Sequence, residues 1–265
     1  MIVDLLCVGS ELVSGITFNT NAHWLAGQIA SVGGTLKRIT VVRDDLDEIS
    51  ASVKESLARK PNILIITGGL GSTYDDITLK GVAKALHKKV ALDGQAVEML
   101  KVSYARRSLK YDLTEARLKM ATIPKGSTPI QNPVGSAPAV MEKSGKTRIF
   151  CLPGVPSEMQ AIFEQNIMHL LKKGVGRFVA KEVNYNVRGI TEAMIAPALG
   201  KIVESYPQQA IYLKTHPQGY LRKKIPRIRV QMISRGSDER EVKRRLDSIS
   251  SAIEKEVAML GGRIC

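Results

Sequence analysis

Asn62-Ile-Leu-Ile-Ile-Thr67-Gly68-Gly69-Leu70-Gly71-Ser72-Thr73-Tyr74-Asp75-Asp76-Ile77-Thr78 decides the fold. The apolar run Ile63–Ile66 has the pattern of a strand buried on both faces. Three glycines within four residues follow it, then two hydroxyl residues and two acids. From Ile77 onward, Leu79, Val82, Ala83 and Leu86 recur at helical spacing. Strand, glycine-rich turn and helix in that order build an anion cradle, because glycine admits close approach and free N–H groups at the helix start face a phosphate. Carboxylates so near would repel a bare phosphate. They make sense beside a divalent cation, or as groups acting on the bound anion. No Gly-Lys-Ser/Thr ends the loop and no Gly-x-Gly-x-x-Gly spacing occurs, so neither common nucleotide motif applies. An ordinary turn capped by aspartate explains less of this pattern than a ligand site does.

Working outward, the 265 residues alternate strand-like and helix-like segments. Met1–Val8 and Thr35–Val42 read as strands, Asn21–Val32 and Leu46–Leu57 as helices. That alternation argues for a mostly parallel sheet between helices, a three-layer α/β/α domain. Gln95–Lys119 reads as one helical stretch, and Lys119–Ala139, dense in Pro, Gly and Ser, as a long shaped loop. Val140-Met141 and Arg148–Leu152 suggest a hairpin turning at Ser144-Gly145, followed by a helix running to about Leu171. The charge-and-glycine run Lys172–Gly176 marks a boundary. It gives a first domain over 1–174 and a small βαββα domain of the α+β kind over 175–265.

The chain is 44% hydrophobic, and no apolar run approaches the roughly 18 residues of a membrane span. The start at Met1-Ile2-Val3-Asp4-Leu5 is strand-like, with no signal peptide evident. Cys7 and Cys151 sit in apolar runs and read as buried thiols of a cytoplasmic protein without membrane contact. The net charge of +14 favours an anionic ligand, while 5% aromatics offers few stacking platforms for nucleic acid. The densest basic set, Arg222 to Arg229, lacks a Gly-x-x-Gly clamp, so no specific nucleic-acid partner is expected.

In open α/β sheets the ligand lies beyond the carboxyl ends of the strands. Four polar segments would meet there: Gly9-Ser10-Glu11-Leu12, Arg43-Asp44-Asp45, the glycine turn, and Pro153-Gly154-Val155-Pro156-Ser157-Glu158. They would gather Glu11, Asp44, Asp75, Asp76 and Glu158 around one acidic pocket, the mark of a metal-assisted site. His23 and Trp24 are adjacent on the first helix, where packing is the better account.

These segments, with Asn19-Thr20-Asn21, Thr78 and Asn132-Pro-Val-Gly135-Ser136-Ala137-Pro138, resemble the CinA amino-terminal domain of the MoaB/MogA-type molybdopterin-binding superfamily. Gly189-Ile190-Thr191-Glu192 is similar to the helix start in CinA's small following domain. The resemblance covers nearly the whole chain in order. CinA's carboxy-terminal amidase domain is not expected, since nothing of that length follows Cys265. Departures are Ser10 for Asp or Asn, Leu70 for Thr, Ser72 for Pro and Ala139 for Gly. Leu70 and the Asn19–Asn21 segment lie on the CinA side.

The resemblance implies hydrolysis of the pyrophosphate of ADP-ribose, or of FAD, with a divalent metal (Mg, Mn or Co). Its alternative is pterin or nucleotide binding in molybdenum cofactor biosynthesis, without hydrolysis. It also implies functional aspartates at Asp44 and Asp76, and a homo-oligomer. Physically, the amides of Gly69 to Thr73 and the hydroxyls of Ser72 and Thr73 would hold one phosphate. Gly68, Gly69, Gly71, Asp75, Thr78, Glu11, Asn21, Gly135, Ser136, Pro153, Gly154 and Ser157 would complete the nucleotide site. Asp44, Asp76 or Glu158 would hold the ion, and another of them would orient a water. A side chain at Gly69 would occupy the phosphate's space.

Overall fold

The computed structural model describes residues 1–106, 112–207, 210–221 and 225–265. They form two units, Met1–Val175 and Gly176–Cys265. The first runs β1 (Ile2–Val8), α1 (Ser10–Val13), α2 (Thr20–Ser31), β2 (Thr35–Val42), α3 (Leu46–Ala58), β3 (Ile63–Thr67) and α4 (Thr78–Ala85). It continues through β4 (Val90–Leu92), α5 (Gly94–Arg106), α6 (Glu115–Lys119), β5 (Thr122–Pro124) and β6 (Thr128–Ile130). β7 (Ala139–Ser144), β8 (Thr147–Leu152), α7 (Pro156–Asn166) and α8 (Met168–Val175) complete it.

Six strands make the central sheet in the order β2-β1-β3-β8-β7-β6. The first four are parallel, so their carboxyl ends share one edge. Alternation of side chains divides each central strand between two cores. Leu6, Val8, Leu64, Ile66, Ile149 and Cys151 face one way, against Ile49 and Val53 of α3, Val82 of α4 and Leu100 of α5. Leu5, Cys7, Ile63, Ile65, Phe150 and Leu152 face the other, against Leu25 and Ile29 of α2 and Ile162 and Phe163 of α7. All five residues of β3 are buried, as its unbroken apolar run requires.

Three segments differ from the sequence reading. Gln95–Lys119 is not one helix: α5 and α6 are separate, and Thr114 takes an extended backbone (φ −65°, ψ 160°) that starts α6 afresh. Residues 107–111 of that stretch lie outside the described part. The Pro-rich region between Lys119 and Ala139 is not all loop, because it contains β5 and β6. β6 closes the sheet as its edge strand, where Pro129 sacrifices no needed donor. Finally, the helix expected to reach Leu171 breaks at Ile167, which is fully buried. There Asn166 Nδ2 donates to Ile162 O at 3.1 Å, satisfying a terminal carbonyl. The β7–β8 hairpin forms, pairing Ser144 with Thr147 across Gly145 and Lys146.

The smaller unit is a separate antiparallel sheet with helices. β9 (Val179–Arg188), α9 (Glu192–Glu204), β10 (Ile211–Leu221), β11 (Ile225–Gly236), α10 (Glu239–Met259) and β12 (Arg263–Ile264) follow in order. The sheet order is β10-β11-β9-β12. Ile228, Val230 and Met232 alternate onto the face that packs Ile195 of α9 and Ile249 and Ile253 of α10. Arg222, Lys223 and Lys224 of the densest basic set lie outside the described residues.

Candidate active site

The glycine turn is held open by its neighbours. Gly68 has φ +97°, and a Cβ there would lie 2.2 Å from Val8 O, so strand β1 comes too close for any side chain. Its amide donates to Leu152 O at 3.1 Å, tying the turn to β8. Thr78, fully buried at the start of α4, donates its hydroxyl to Gly68 O at 2.8 Å, while its amide donates to Gly69 O at 3.2 Å. Thr78 therefore shapes the turn from behind and does not face a ligand.

Gly69 also differs from the sequence reading. At φ +67° its missing Cβ points at Thr78 Oγ1, 2.2 Å away, into the protein and not toward a bound phosphate. The cradle itself is narrower than expected. Thr73's amide and hydroxyl both donate to Asp76 Oδ2, at 2.9 and 2.5 Å. Among the described residues, the amides of Gly69, Leu70, Gly71 and Ser72 find no acceptor within the protein. Four consecutive N–H groups in this turn therefore remain without an acceptor in the protein.

Asp44 follows β2 and is fixed by the loop after β1. Its Oδ2 accepts from the Ser10 amide at 2.7 Å and the Ser10 hydroxyl at 2.9 Å. Its own amide donates to Ser10 Oγ at 3.2 Å. The neighbouring Asp45 instead caps α3, accepting from the amides of Asp47 and Glu48. The paired acids thus divide the work: Asp45 caps α3, while Asp44 reaches across to the first amide of α1.

Glu158 is placed differently. Its Oε2 accepts from Asn132 Nδ2 at 2.6 Å, and its carboxylate lies so near Gly135 that a Cβ there would come within 2.0 Å. Gly135 is buried behind the carboxylate. Among the described residues, no three His, Cys, Asp or Glu side chains approach closely enough to hold a metal ion by themselves. The expected set Asp44, Asp76 and Glu158 does not form one cluster.

Three cavities meet at Gly69 and Asp76. One, of about 280 Å³, is lined by Glu11, Asn21, Asp44, Gly68, Thr73, Asp75 and Gly154. A second, of about 460 Å³, carries Gly71, Ser72, Ser136, Pro153, Gly154 and Glu158. The third, of about 380 Å³, is walled by Leu70, Leu79, Lys80, Leu118 and Lys119. Ser157 is exposed and lines none of the three. Asn21 Nδ2 donates to Gly154 O at 2.8 Å, joining α2 to the β8–α7 turn, and its Oδ1 is buried without a protein partner.

Sequence reasoning missed several residues here. Lys119 ends α6 and donates Nζ to Thr73 O, directly beside the cradle. Burial pulls its pKa down, while Asp76 and Asp75 hold it up and Lys80 opposes them. Only the tertiary fold brings it there, so its sequence carried no signal. Phe18, 91% exposed, lines the first cavity, and Tyr74, 92% exposed, sits within the glycine loop. An aromatic next to each motif was the available sign. Trp24 packs edge-on against Phe163 with ring centroids 5.4 Å apart, in the packing role expected. Burial raises the Cys7 thiol and pushes Cys151 up to about 12, leaving both as core thiols.

Fold and site together define a class: a three-layer α/β/α protein with a glycine turn of unpaired amides at the carboxyl edge of its parallel strands. Residues 4–173 match the family described as "Probable molybdopterin binding domain", and the chain belongs to that family. It is 36% identical to the protein CinA from Thermoplasma acidophilum, whose crystal structure is described as that of a protein with unknown function. The two superpose with a TM-score of 0.58, covering 66% of this chain and 99% of that one. Proteins of Metallosphaera sedula and Aeropyrum pernix are 37% and 38% identical over 261 and 260 residues, each covering 98% of this chain and 96% and 95% of their own lengths. No helix among the described residues is long and apolar enough to cross a membrane.

Proposed function

We propose that this protein hydrolyses the pyrophosphate of a dinucleotide such as ADP-ribose, or FAD, releasing AMP with the help of a divalent metal. The observation that carries the reading is the run of free amides at Gly69–Ser72 with Asp44 and Asp76 in the adjoining cavity. Amides alone would serve a phosphate-binding module. Two carboxylates beside them are unfavourable for an anion unless they serve chemistry.

Asp44 and Asp76 suit a hard ion that is shared with substrate, because such ions commonly take one or two carboxylates and complete their shell from phosphate oxygens and water. Bound there, the ion would supply charge neutralisation and polarisation at phosphorus. Glu158, committed to Asn132, is better suited to hold the Asn132–Gly135 turn. The chain's own groups do the rest. The Gly69–Ser72 amides grip one phosphoryl group and stabilise charge on its oxygens. An aspartate carboxylate orients a water and takes its proton as the water oxygen attacks phosphorus. The bond to the bridging oxygen breaks, and that oxygen leaves with the electron pair on the other phosphate. ADP-ribose and water become AMP and ribose 5-phosphate. A reducing cytoplasm is the setting in which the two buried thiols persist.

Membership in a probable molybdopterin binding family favours a second reading, a pterin- or nucleotide-binding protein of molybdenum cofactor biosynthesis without hydrolytic activity. One experiment separates them: incubation with ADP-ribose, FAD and molybdopterin, with and without Mg²⁺, Mn²⁺ or Co²⁺, and chromatography for AMP. Metal-dependent AMP supports hydrolysis. Binding of any of the three without cleavage supports the second reading.

A further inference from the structure

We propose that the cavity between the glycine turn and Lys119 is the subsite for the second phosphoryl group, and that the Lys119 ammonium is its ligand. The inference deepens the pyrophosphatase reading and rests on it for the identity of the substrate, though not for its test. A pyrophosphate presents two phosphoryl groups, and the free amides of Gly69–Ser72, four consecutive donors in one turn, would serve one of them. The second must lie in one of the three cavities that share Gly69 and Asp76. Two of them have no Lys or Arg in their lining and carry carboxylates: Glu11, Asp44 and Asp75 in the first, Glu158 in the second. The third alone has cationic walls, Lys80 and Lys119, with Glu115 and the shared Asp76 as its acids.

Lys119 is also under-used by the protein. An ammonium has three donors. One goes to Thr73 O, a neutral carbonyl, and no other hydrogen bond or ion pair engages Lys119 among the described residues. Partial burial strips water from this charge, which lowers its pKa and strengthens its pull on an anion. Leu70, Leu79, Leu92 and Leu118 supply the apolar part of the same cavity wall. Lys119 therefore anchors the Thr73–Asp76 loop and keeps two donors for the phosphoryl oxygen.

The rival account makes Lys119 a loop anchor and nothing more, and the choice of variants separates the two. Lys119→Gln keeps a donor for Thr73 O without the charge. Lys119→Arg keeps both. Inorganic pyrophosphate and orthophosphate serve as probes in calorimetric titration of the full chain, with folding checked by thermal melt. Wild type should bind pyrophosphate more tightly than orthophosphate. In Lys119→Gln the pyrophosphate affinity should fall at least about tenfold, the scale of one charge-assisted hydrogen bond, with orthophosphate affinity unchanged. Lys119→Arg should stay within about threefold of wild type for both probes. Full retention of pyrophosphate affinity in Lys119→Gln, equal loss of both probes, or no pyrophosphate preference in wild type would overturn the subsite. Because neither probe is a nucleotide and no turnover is read, the subsite can stand while AMP release from ADP-ribose fails, and the reverse.

Discussion

Asp76→Asn should separate stability from turnover. Asp76 Oδ2 receives the Thr73 amide at 2.9 Å and the Thr73 hydroxyl at 2.5 Å. Asparagine keeps a carbonyl oxygen of the same size in that place, so the turn retains its internal acceptor. Charge-assisted hydrogen bonds contribute about 1.5–3 kcal/mol each when dry, but Thr73 is exposed and its two bonds are well screened. The expected stability loss is under about 1 kcal/mol, a shift of roughly 2–4 °C in Tm for a unit of this size. Catalysis should fall far more. Removing a carboxylate that shares the ion or orients the water should slow AMP release by at least about two orders of magnitude, or about 2.7 kcal/mol of barrier. The assay is initial-rate release of AMP from ADP-ribose with Mg²⁺ or Mn²⁺, beside a melt of the same preparation. A folded mutant within about threefold of the wild-type rate would remove Asp76 from the mechanism. A collapse in Tm with a parallel loss of rate would make it a loop residue only.

Three further outcomes follow from the geometry. Gly69→Ala should unfold the first unit at lower denaturant, by more than about 1–3 kcal/mol of strain, because its Cβ meets Thr78 Oγ1 at 2.2 Å and φ is +67°; an unchanged urea midpoint would refute it. Arg59→Leu should cost about 2–4 kcal/mol, allowing for the 22% exposure of Arg59, since it strands the buried Asp4 carboxylate that Arg59 pairs at 2.9 Å. The double variant Arg59→Leu/Asp4→Leu should recover part of that loss in the same titration. Glu142 is buried, which works to raise its pKa, yet hydrogen bonds from Lys88, the Lys143 amide and Ser127 bring the net value below the ordinary one. Its charge then adds stability above the unfolded carboxyl value of about 4.3. The contribution fades as pH falls through that value and the lower folded one. The Tm gap between wild type and Glu142→Gln should therefore shrink from pH 7 to pH 3, and a constant gap would contradict the assignment.

The central layers were legible because burial on both faces leaves a plain mark. β3 is an unbroken apolar run, and Ile49 and Val53 of α3 repeat at helical spacing onto its core. The edge of the sheet was less legible. β6 carries Pro129, and a proline read from sequence suggests loop, whereas an edge strand tolerates it. At the site, the motif residues come together because four parallel strands end on one side, which the alternation of elements implied. What each of them does was hidden. Sequence cannot show that Gly69 faces Thr78, that Asp76 occupies the Thr73 amide, or that Ser10 holds Asp44. The Asp76–Thr73 contact depends on how the turn itself closes, while the hold of Ser10 on Asp44 and the arrival of Lys119 beside Thr73 join segments far apart in the chain.

The most direct test of the account is ³¹P NMR of ADP-ribose mixed with the protein and Mg²⁺, Mn²⁺ or Co²⁺. For the paramagnetic ions the metal is chelated from timed aliquots before the spectrum is taken. The pyrophosphate resonances should decay and two phosphomonoester signals, AMP and ribose 5-phosphate, should grow in equal amounts, with no change when the metal is omitted. Intact pyrophosphate resonances after hours with each ion, at saturating protein, would contradict hydrolysis at the Gly69–Asp76 turn.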